Sequence, residues 1–345
     1  MTGPDRAPLV AIEIRDDKPG HYHCADAIIA AIARERPVSV HIVHIARPRL
    51  AFPGMLSWMV NRGAPPLQIL RPVYGIDVTR WPEPGLVVSA GGDTLAANIS
   101  AARHFRVPNI FFGSLRKYRA EDFSLVLNCY DIETPAENHL RIPKPVPADP
   151  LQLPGTQRLA NGLPAIAGLL IGGDAGTVTY APGDWDRLIA FLQETHERLG
   201  LKWIVSTSRR TPAAVADRLA VLAKEPQSPI TRFIDVRTAG PGSLGLLFAN
   251  SGAIVVTADS SAMLSEAIWM KKPVLAVAPA KLHHPSKELA YRRRLEAEGV
   301  CREIPLAALD ATTFAAALGQ ITPIPGNPQA DLATLLREKL PALFA

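Results

Sequence analysis

The sequence predicts an α/β protein with two doubly wound parallel sheets. Short apolar segments with the character of buried strands alternate with helical segments along both halves of the chain, and a proline-rich stretch separates the halves. Glycine-rich or hydroxyl-rich turns follow several of the strands. Alternating strands and helices indicate parallel pairing, with helices covering both faces of each sheet. We therefore expect two Rossmann-like domains that face a cleft, with ligands at the carboxyl ends of the strands.

Both halves repeat the same order of elements. In the first half, strands are predicted at 9–14, 38–45, 86–90, 109–112 and 125–127, with helices at 25–33 and 95–105. In the second half, strands are predicted at 167–171, 203–206, 233–236, 254–258 and 273–277. The helices predicted there span 184–199, 212–222, 264–270, 288–298 and 330–340.

Prolines set the predicted domain boundary. Five prolines lie between Pro143 and Pro154, a density that a helix or a central strand does not tolerate. We expect an N-terminal domain at 1–142, a stiff linker at 143–155 and a C-terminal domain at 156–325. Residues 326–345 form a terminal helix that we expect to pack back on the N-terminal domain.

The composition is that of a globular chain of 345 residues, 48% hydrophobic and 20% charged. Its apolar runs are too short to cross a bilayer, and its first residues do not resemble a secretory signal. The scattered Cys24, Cys129 and Cys301 fit a reducing cytoplasm. The net charge of +5 favours anionic ligands or an anionic membrane surface and argues against nucleic acid as a partner.

The most informative stretch, residues 252–267, joins a β-branched strand to a helix. Ser260 and Ser261 follow Asp259 at the helix N-terminus, where unpaired N–H groups and the helix dipole attract phosphate. Glu266 lies about one and a half turns further on, and helical side chains lean back toward the N-terminus. The arrangement suits a nucleoside diphosphate with its ribose. The alternative is that Ser260 only caps the helix and Glu266 is solvated.

A glycine turn follows the first strand of the second half. Gly172, Gly173 and Asp174 would allow a diphosphate to approach the backbone closely, while a simple tight turn is the alternative. The loop lacks the lysine of a P-loop, which disfavours ATP-type phosphoryl transfer. The same signal recurs more weakly in the first half, at Gly91, Gly92 and Asp93.

Two arginines end another strand at the same edge of the second sheet. They follow Ser208, and either Arg209 or Arg210 would pair with a phosphate through its planar guanidinium group. A solvated pair of arginines ahead of the next helix is the alternative for either residue.

The first half carries the candidate general base. His21, or Asp17 in the same turn, would remove a proton from an acceptor hydroxyl, with Lys18 and Gly20 beside them. For His21 a surface or capping role is the alternative. The histidine pair at 283–284 has no third ligand at zinc spacing, so we expect no metal and no cofactor.

An apolar segment with basic flanks follows the second strand. Its apolar side chains belong to Phe52, Met55, Leu56, Trp58 and Met59, and its flanking residues are Arg47, Arg49 and Arg62. A short helix of this composition would rest on an anionic membrane. Packing in the core beneath a loop is the alternative.

Four of these motifs together resemble the bacterial members of the mitochondrial-fission Elm family, which shares features with GT-B glycosyltransferases. They are the turns at 17–21 and 91–94, the loop at 170–174 and the segment 257–267 with residues 272–274, which occur in the expected order over nearly the whole chain. The last motif is also similar to the donor-site helix of the lipid-linked peptidoglycan N-acetylglucosaminyltransferase. The resemblance implies a GT-B-like fold. It also implies that Ser260 and Ser261 hold a diphosphate, that Glu266 holds a ribose, and that Lys18, Gly20 and His21 lie on the acceptor side.

We therefore expect a GT-B-like, metal-independent glycosyltransferase that moves a sugar from a nucleotide-diphosphate-sugar donor to an acceptor. A lipid-linked acceptor and an anionic membrane surface are the further expected partners, with a cytoplasmic location that includes peripheral contact with the inner membrane. Two alternatives remain: a nucleotide-sugar 2-epimerase of the same fold, and a non-catalytic, membrane-associated adaptor. The sequence leaves the base, the sugar and the acceptor open.

Overall fold

The computed structural model describes residues 7–46, 53–133, 135–152, 155–176, 178–240 and 243–345. The chain divides into two compact units, one formed by Met1–Ala148 with Gly326–Ala345 and the other by Asp149–Pro325. Each unit contains a parallel six-stranded sheet with helices packed on it. The boundary at Asp149 falls within the proline-rich segment, where residues 150–152 form a single 3₁₀ turn.

The sheet of the first unit has the strand order β2-β1-β3-β4-β5-β6. Its strands are β1 (Leu9–Arg15), β2 (Val38–His44), β3 (Leu86–Ala90), β4 (Asn109–Phe112), β5 (Leu125–Asn128) and β6 (His139–Arg141). The helices are α1 (Pro19–Ala33), α2 (Pro53–Asn61), α3 (Leu67–Tyr74) and α4 (Leu95–Phe105). Strands β3, β4 and β5 are buried along their whole length, which explains their continuous apolar sequences.

The second unit repeats the architecture with the strand order β10-β9-β7-β11-β12-β14. Its strands are β7 (Ile166–Ile171), β8 (Val178–Thr179), β9 (Lys202–Thr207), β10 (Ile230–Ile234), β11 (Ala253–Thr257), β12 (Val274–Ala278), β13 (Lys281–Leu282) and β14 (Cys301–Pro305). Strands β8 and β13 pair separately as a small antiparallel ribbon. The helices are α5 (Pro182–Leu199), α6 (Ala213–Leu222), α7 (Ser243–Asn250), α8 (Ser261–Trp269), α9 (Ser286–Ala297) and α10 (Ala311–Leu318).

The last helix, α11 (Pro328–Lys339), belongs to the first unit and packs on α1. Its buried face carries Leu332, Ala333 and Leu336. The amide of Gln329, which is also buried, donates a hydrogen bond to the carbonyl of Ala27 at 3.2 Å. The apolar face of α11 therefore completes the cover of α1.

Several elements differ from the sequence-based expectation. Helix α1 begins at Pro19 rather than at residue 25, because proline is well suited to the first helical position. Strand β10 ends at Ile234, since the carbonyl of Asp235 already accepts turn hydrogen bonds from Thr238 and Ala239. The sequence pattern did not predict α3, α7, α10, β6, β8, β13 and β14.

Candidate functional site

A carboxylate and a histidine meet at the carboxyl end of β1. Asp16 follows the strand directly, and its side chain is only 4% exposed. Its Oδ1 accepts the backbone N–H of Lys18 at 3.1 Å, and its Oδ2 lies 2.6 Å from Nδ1 of His21. A hydrogen bond donated by Nδ1 to this carboxylate leaves the lone pair of the ring on Nε2. The structure thus brings Asp16, rather than the exposed Asp17, to the imidazole.

Helix α1 positions this histidine. His21 lies in the first turn of α1, close to the N-cap residue Lys18, and its side chain is 36% exposed. Because helical side chains lean toward the N-terminus, the ring is directed back to the end of β1. Gly20 lies in the same first turn, so the predicted turn at 17–21 is partly helix.

The glycine turn after β3 packs against the side chain of His21. A Cβ atom at Gly91 would overlap the ring of His21, and one at Gly92 would overlap the guanidinium of Arg116. Only glycine therefore allows both side chains to lie on this turn. Gly91 also has a φ of 88°, which glycine adopts without strain.

Asp93 ends this turn and contacts two cationic side chains, those of Lys18 and Arg116. Its Oδ2 accepts a hydrogen bond from Nζ of Lys18 at 3.1 Å, and its Oδ1 lies 3.7 Å from Nη1 of Arg116. The hydroxyl of Tyr74 donates to the carbonyl of Asp93 at 3.1 Å. No sequence motif pointed to Asp16, Tyr74 or Arg116, which approach the turn from distant parts of the chain.

In the second unit, the hydroxyl residues lie where the sequence predicted. Ser260 is the N-cap of α8, and its Oγ accepts the N–H of Met263 at 3.3 Å. Ser261 is the first helical residue, and its buried Oγ has no hydrogen-bond partner among the residues that the structure describes. A buried polar atom without a partner is costly. The helix start therefore combines the amide groups of its first turn with an unsatisfied hydroxyl.

Glu266 lies on the same helix, five positions after Ser261, and is half-buried. One turn of helix spans about 3.6 residues, so the carboxylate is about one and a half turns from the N-terminus. Glu266 is therefore near the group that would be attached to a phosphate bound at the start of α8.

The loop after β7 packs against Asp259. A Cβ atom at Gly172 would overlap the Asp259 carboxylate, and one at Gly173 would overlap the backbone of Arg210. The two glycines are thus required by neighbouring protein groups, in addition to any approach of a ligand. The amide of Gly172 is already used, since it donates to Oγ1 of Thr257 at 2.6 Å.

Asp259 holds Arg210 rather than pointing to solvent. Its side chain is 0% exposed and forms an ion pair with the guanidinium of Arg210. The hydroxyl of Tyr180 donates to Oδ1 of Asp259 at 3.1 Å, and burial together with this carboxylate raises the pKa of Tyr180. A carboxylate would repel a phosphate, so its contribution here is to orient the arginine.

Other predicted residues order the loops around this ion pair. Asp174 is exposed, and its Oδ1 accepts the N–H of Tyr180 at 2.9 Å. The Oγ of Ser208 accepts the N–H of Arg210 at 3.2 Å. Both side chains therefore shape the backbone that carries Arg210 and Tyr180.

A cavity of about 290 Å³ opens at the carboxyl ends of β9 and β10. Arg209 lines it, as does Thr211, whose hydroxyl lies 2.8 Å from the carbonyl oxygen of Gly172. The remaining walls come from residues 207–208, from Ala213 and Ala216 of α6, and from 235–237. The cavity therefore adjoins the glycine loop and has room for a small ligand.

The predicted membrane segment is a helix with two different faces. Leu56 is 5% exposed and packs in the core of the first unit with Val60, and Met59 packs against the same cluster. Leu56 and Met59 therefore contribute to the core of the first unit, because the helix uses this face to cover the sheet. Met55 and Trp58 are 44% and 56% exposed. Phe52, Arg47 and Arg49 lie outside the described residues.

Arg62 stays next to the exposed face of α2. Its guanidinium carbon lies 4.6 Å from the ring centroid of Trp58, which is cation–π geometry. Among the described helices, none has both the length and the apolar character needed to span a bilayer.

Two parallel six-stranded sheets of this kind define the GT-B-like class of folds, and solved structures agree. UDP-GlcNAc 2-epimerase from Neisseria meningitidis, bound to UDP-GlcNAc, matches with a TM-score of 0.55 at 12% identity, over 97% of this chain and 100% of that chain. The S. aureus MnaA–UDP structure matches with a TM-score of 0.54 at 12% identity, over 98% of each chain. The glycosyltransferase SnogD from Streptomyces nogalater matches with 0.51 at 14% identity, over 98% of this chain and 96% of that chain.

The family follows from the sequence itself. The family model described as Mitochondrial fission ELM1 matches residues 19–340, and the chain belongs to this family. The match confirms the resemblance drawn from the motifs. No curated protein matches the sequence.

Proposed function

We propose that this protein is a glycosyltransferase that takes a sugar from a nucleotide-diphosphate-sugar and transfers it to an acceptor hydroxyl. The observation that carries the proposal is the Asp16–His21 pair, with 2.6 Å between Oδ2 and Nδ1. A histidine oriented by a buried carboxylate is a general base whose protonated form the carboxylate stabilises. Such a pair suits the deprotonation of a hydroxyl at neutral pH.

The second unit supports the donor half of the reaction. The N-terminus of α8, with the unsatisfied hydroxyl of Ser261, is suited to a phosphate. Arg210, held by Asp259, supplies a fixed positive charge near the glycine loop. Glu266 would accept hydrogen bonds from the ribose hydroxyls, and the neighbouring cavity has room for a base. Two structures of the same fold contain UDP or UDP-GlcNAc, so uridine nucleotides are the donors that we propose to test first.

The chemical step uses few groups of the chain. Nε2 of His21 takes the proton of the acceptor hydroxyl, and the acceptor oxygen forms a bond to the anomeric carbon of the sugar. The bond between that carbon and the diphosphate oxygen breaks, and the nucleoside diphosphate leaves with the bonding electrons. The helix dipole and Arg210 stabilise the charge that develops on the diphosphate. Asp16 stabilises the imidazolium of His21 until the proton is released to solvent.

The test combines nucleotide binding with turnover. We expect UDP or a UDP-sugar to raise the melting temperature, because a ligand bound only to the folded state stabilises it by mass action. Release of UDP from UDP-GlcNAc is then measured with panels of sugar phosphates and prenyl phosphates as acceptors. His21→Ala should keep UDP affinity and lose about two to four decades in rate, with a smaller loss for Asp16→Asn. His23→Ala, an exposed histidine on the same helix, is the matched control.

The other outcomes contradict the proposed base or indicate a different function. UDP release that is unchanged in His21→Ala contradicts the proposed base. Conversion of the sugar without release of UDP indicates a 2-epimerase. A protein whose melting temperature responds to no nucleotide, and which turns none over, is a non-catalytic adaptor.

A further inference from the structure

Two cations lie on the glycine turn beside the Asp16–His21 pair, and both approach Asp93. The side chains of Lys18 and Arg116 are 52% and 49% exposed, whereas those of Asp93 and Asp16 are 12% and 4% exposed. Of these four groups, the carboxylates of Asp93 and Asp16 are buried, whereas the ammonium and guanidinium groups form a charged layer that solvent reaches. A ligand in solvent can therefore reach both cations.

The cations keep donors for a ligand. Arg116 lies 3.7 Å from Asp93, a separation longer than a hydrogen bond, and a guanidinium has five N–H donors. Lys18 donates to Asp93 at 3.1 Å and has three donors in all. Asp93 therefore holds the two groups in place without using most of their hydrogen-bonding capacity.

This charged layer lies next to the candidate base. The ring of His21 lies on Gly91, and the guanidinium of Arg116 lies on Gly92. Consecutive Cα atoms are about 3.8 Å apart, so the base and the arginine occupy adjacent positions of one turn. A group bound by Arg116 would be a close neighbour of the hydroxyl that reacts.

The loop that carries Arg116 is hydrogen-bonded to the C-terminal end of α2. Nδ2 of Asn61 donates to the carbonyl of Lys117 at 2.9 Å, and Nη2 of Arg119 donates to the carbonyl of Asn61 at 2.5 Å. These bonds join the basic loop to the helix that exposes Met55 and Trp58. The basic loop and the helix with the exposed apolar side chains are thus held together by hydrogen bonds.

We propose that Lys18 and Arg116 bind a phosphate group of the acceptor, beside the hydroxyl that His21 deprotonates. A phosphate has enough acceptor oxygens to bind both cations at once. This inference rests on the proposed transferase function, since it names the acceptor class. The phosphate belongs either to a lipid or to a soluble phosphosugar, and the two sources require separate experiments.

The test measures binding and requires no turnover. Farnesyl phosphate, farnesol and glucose 1-phosphate are titrated into the full chain by calorimetry. We expect farnesyl phosphate to bind at least about tenfold more tightly than farnesol, and Arg116→Ala or Lys18→Ala to remove about tenfold of that affinity, as for loss of one charge-assisted hydrogen bond. Arg116→Lys should retain part of it. Arg80→Ala, which removes an 85% exposed charge elsewhere in the first unit, is the matched control.

The outcomes separate this site from the proposed function. Farnesol affinity reports correct folding, since both alanine variants should bind farnesol as the parent does. Glucose 1-phosphate binding that depends on Arg116 supports a soluble acceptor, and its absence alongside farnesyl phosphate binding supports a lipid. The proposal is overturned if both variants bind farnesyl phosphate like the parent, or if they lose UDP affinity instead. Arg116-dependent binding in a protein that never transfers sugar contradicts the transferase and not the phosphate site.

Discussion

The buried carboxylate of Asp259 shows how single residues shape the second-unit site. It occupies the space that a side chain at Gly172 would fill, and it forms an ion pair with Arg210. Removing the arginine would leave the buried carboxylate without its cationic partner, which is costly. The glycine, the aspartate and the arginine therefore form one unit, and a change at any of them alters the position of the arginine.

Glu266 carries the prediction that concerns the nucleotide. Replacing Glu266 by Ala should weaken UDP binding by about 1–3 kcal/mol, the range for a hydrogen bond that involves a charged group. Calorimetric titration with UDP measures the change. Glu197→Ala, an exposed glutamate of the same unit, should leave the affinity unchanged. A Glu266→Ala protein that binds UDP as tightly as the parent would show that the carboxylate does not contact the ribose.

At this scale the sequence predicted residues that follow directly from strand ends. Ser260 and Ser261 could be placed because a β-branched run turns into a helix at that point. Asp16 also follows a strand end, but Asp17 lies in the same turn, and only the contact with His21 in the folded chain distinguishes the two carboxylates. Arg116 could not be assigned, since its contact with Gly92 is long-range and forms only in the folded chain.

At the scale of elements, α2 is divided between the core and the surface. Leu56 and Val60 anchor the helix in the first unit, while Met55 and Trp58 remain exposed. Isolated exposed apolar residues are common. Two of them on one helix, with Arg62 stacked on the tryptophan, give a small surface that combines apolar area with positive charge.

We predict that this surface associates with anionic membranes. The parent should sediment with anionic vesicles at low salt and less at high salt, because basic residues contribute about 1 kcal/mol each near such a surface and salt screens them. Met55→Ser combined with Trp58→Ser should reduce sedimentation. Val221→Ser, at a 65% exposed site on α6, is the control. Equal sedimentation of parent and double variant, or no response of the parent to anionic lipid, would contradict the prediction.

Elements with a strong apolar pattern were predicted correctly, whereas elements with a weak or interrupted pattern were missed. Helix α4 was predicted with its observed bounds, Leu95–Phe105. Helix α3 was missed because Pro72 lies inside it, and proline normally argues against a helix interior. Strand β6 has only three residues, none of them buried, so it carries little hydrophobic signal.

At the scale of the whole molecule, the first unit depends on residues from both ends of the described chain. Helix α11 covers α1 with an apolar face, and Arg337 pairs with Glu35 at 3.0 Å. The apolar face and the ion pair differ in burial. Leu336 is 0% exposed, whereas the side chain of Arg337 is 53% exposed.

We predict different costs for these two contacts. Leu336→Ala should lower the free energy of unfolding by about 2–5 kcal/mol, because it leaves a cavity between the helices. Arg337→Ala should cost no more than about 1 kcal/mol, as expected for an exposed ion pair. Urea titration of the full chain measures both. Equal losses would show that α11 is held by its surface contacts rather than by its apolar face.

The discontinuous first unit has a consequence for synthesis on the ribosome. The second unit is continuous from Asp149 to Pro325, so all of its strands are available before α11 has been translated. Domains generally fold as units while the chain grows. The first unit, whose synthesis starts earlier, is therefore completed later than the second unit. Until residues 326–345 have emerged from the ribosome, the face of α1 that α11 covers stays accessible to water and to chaperones.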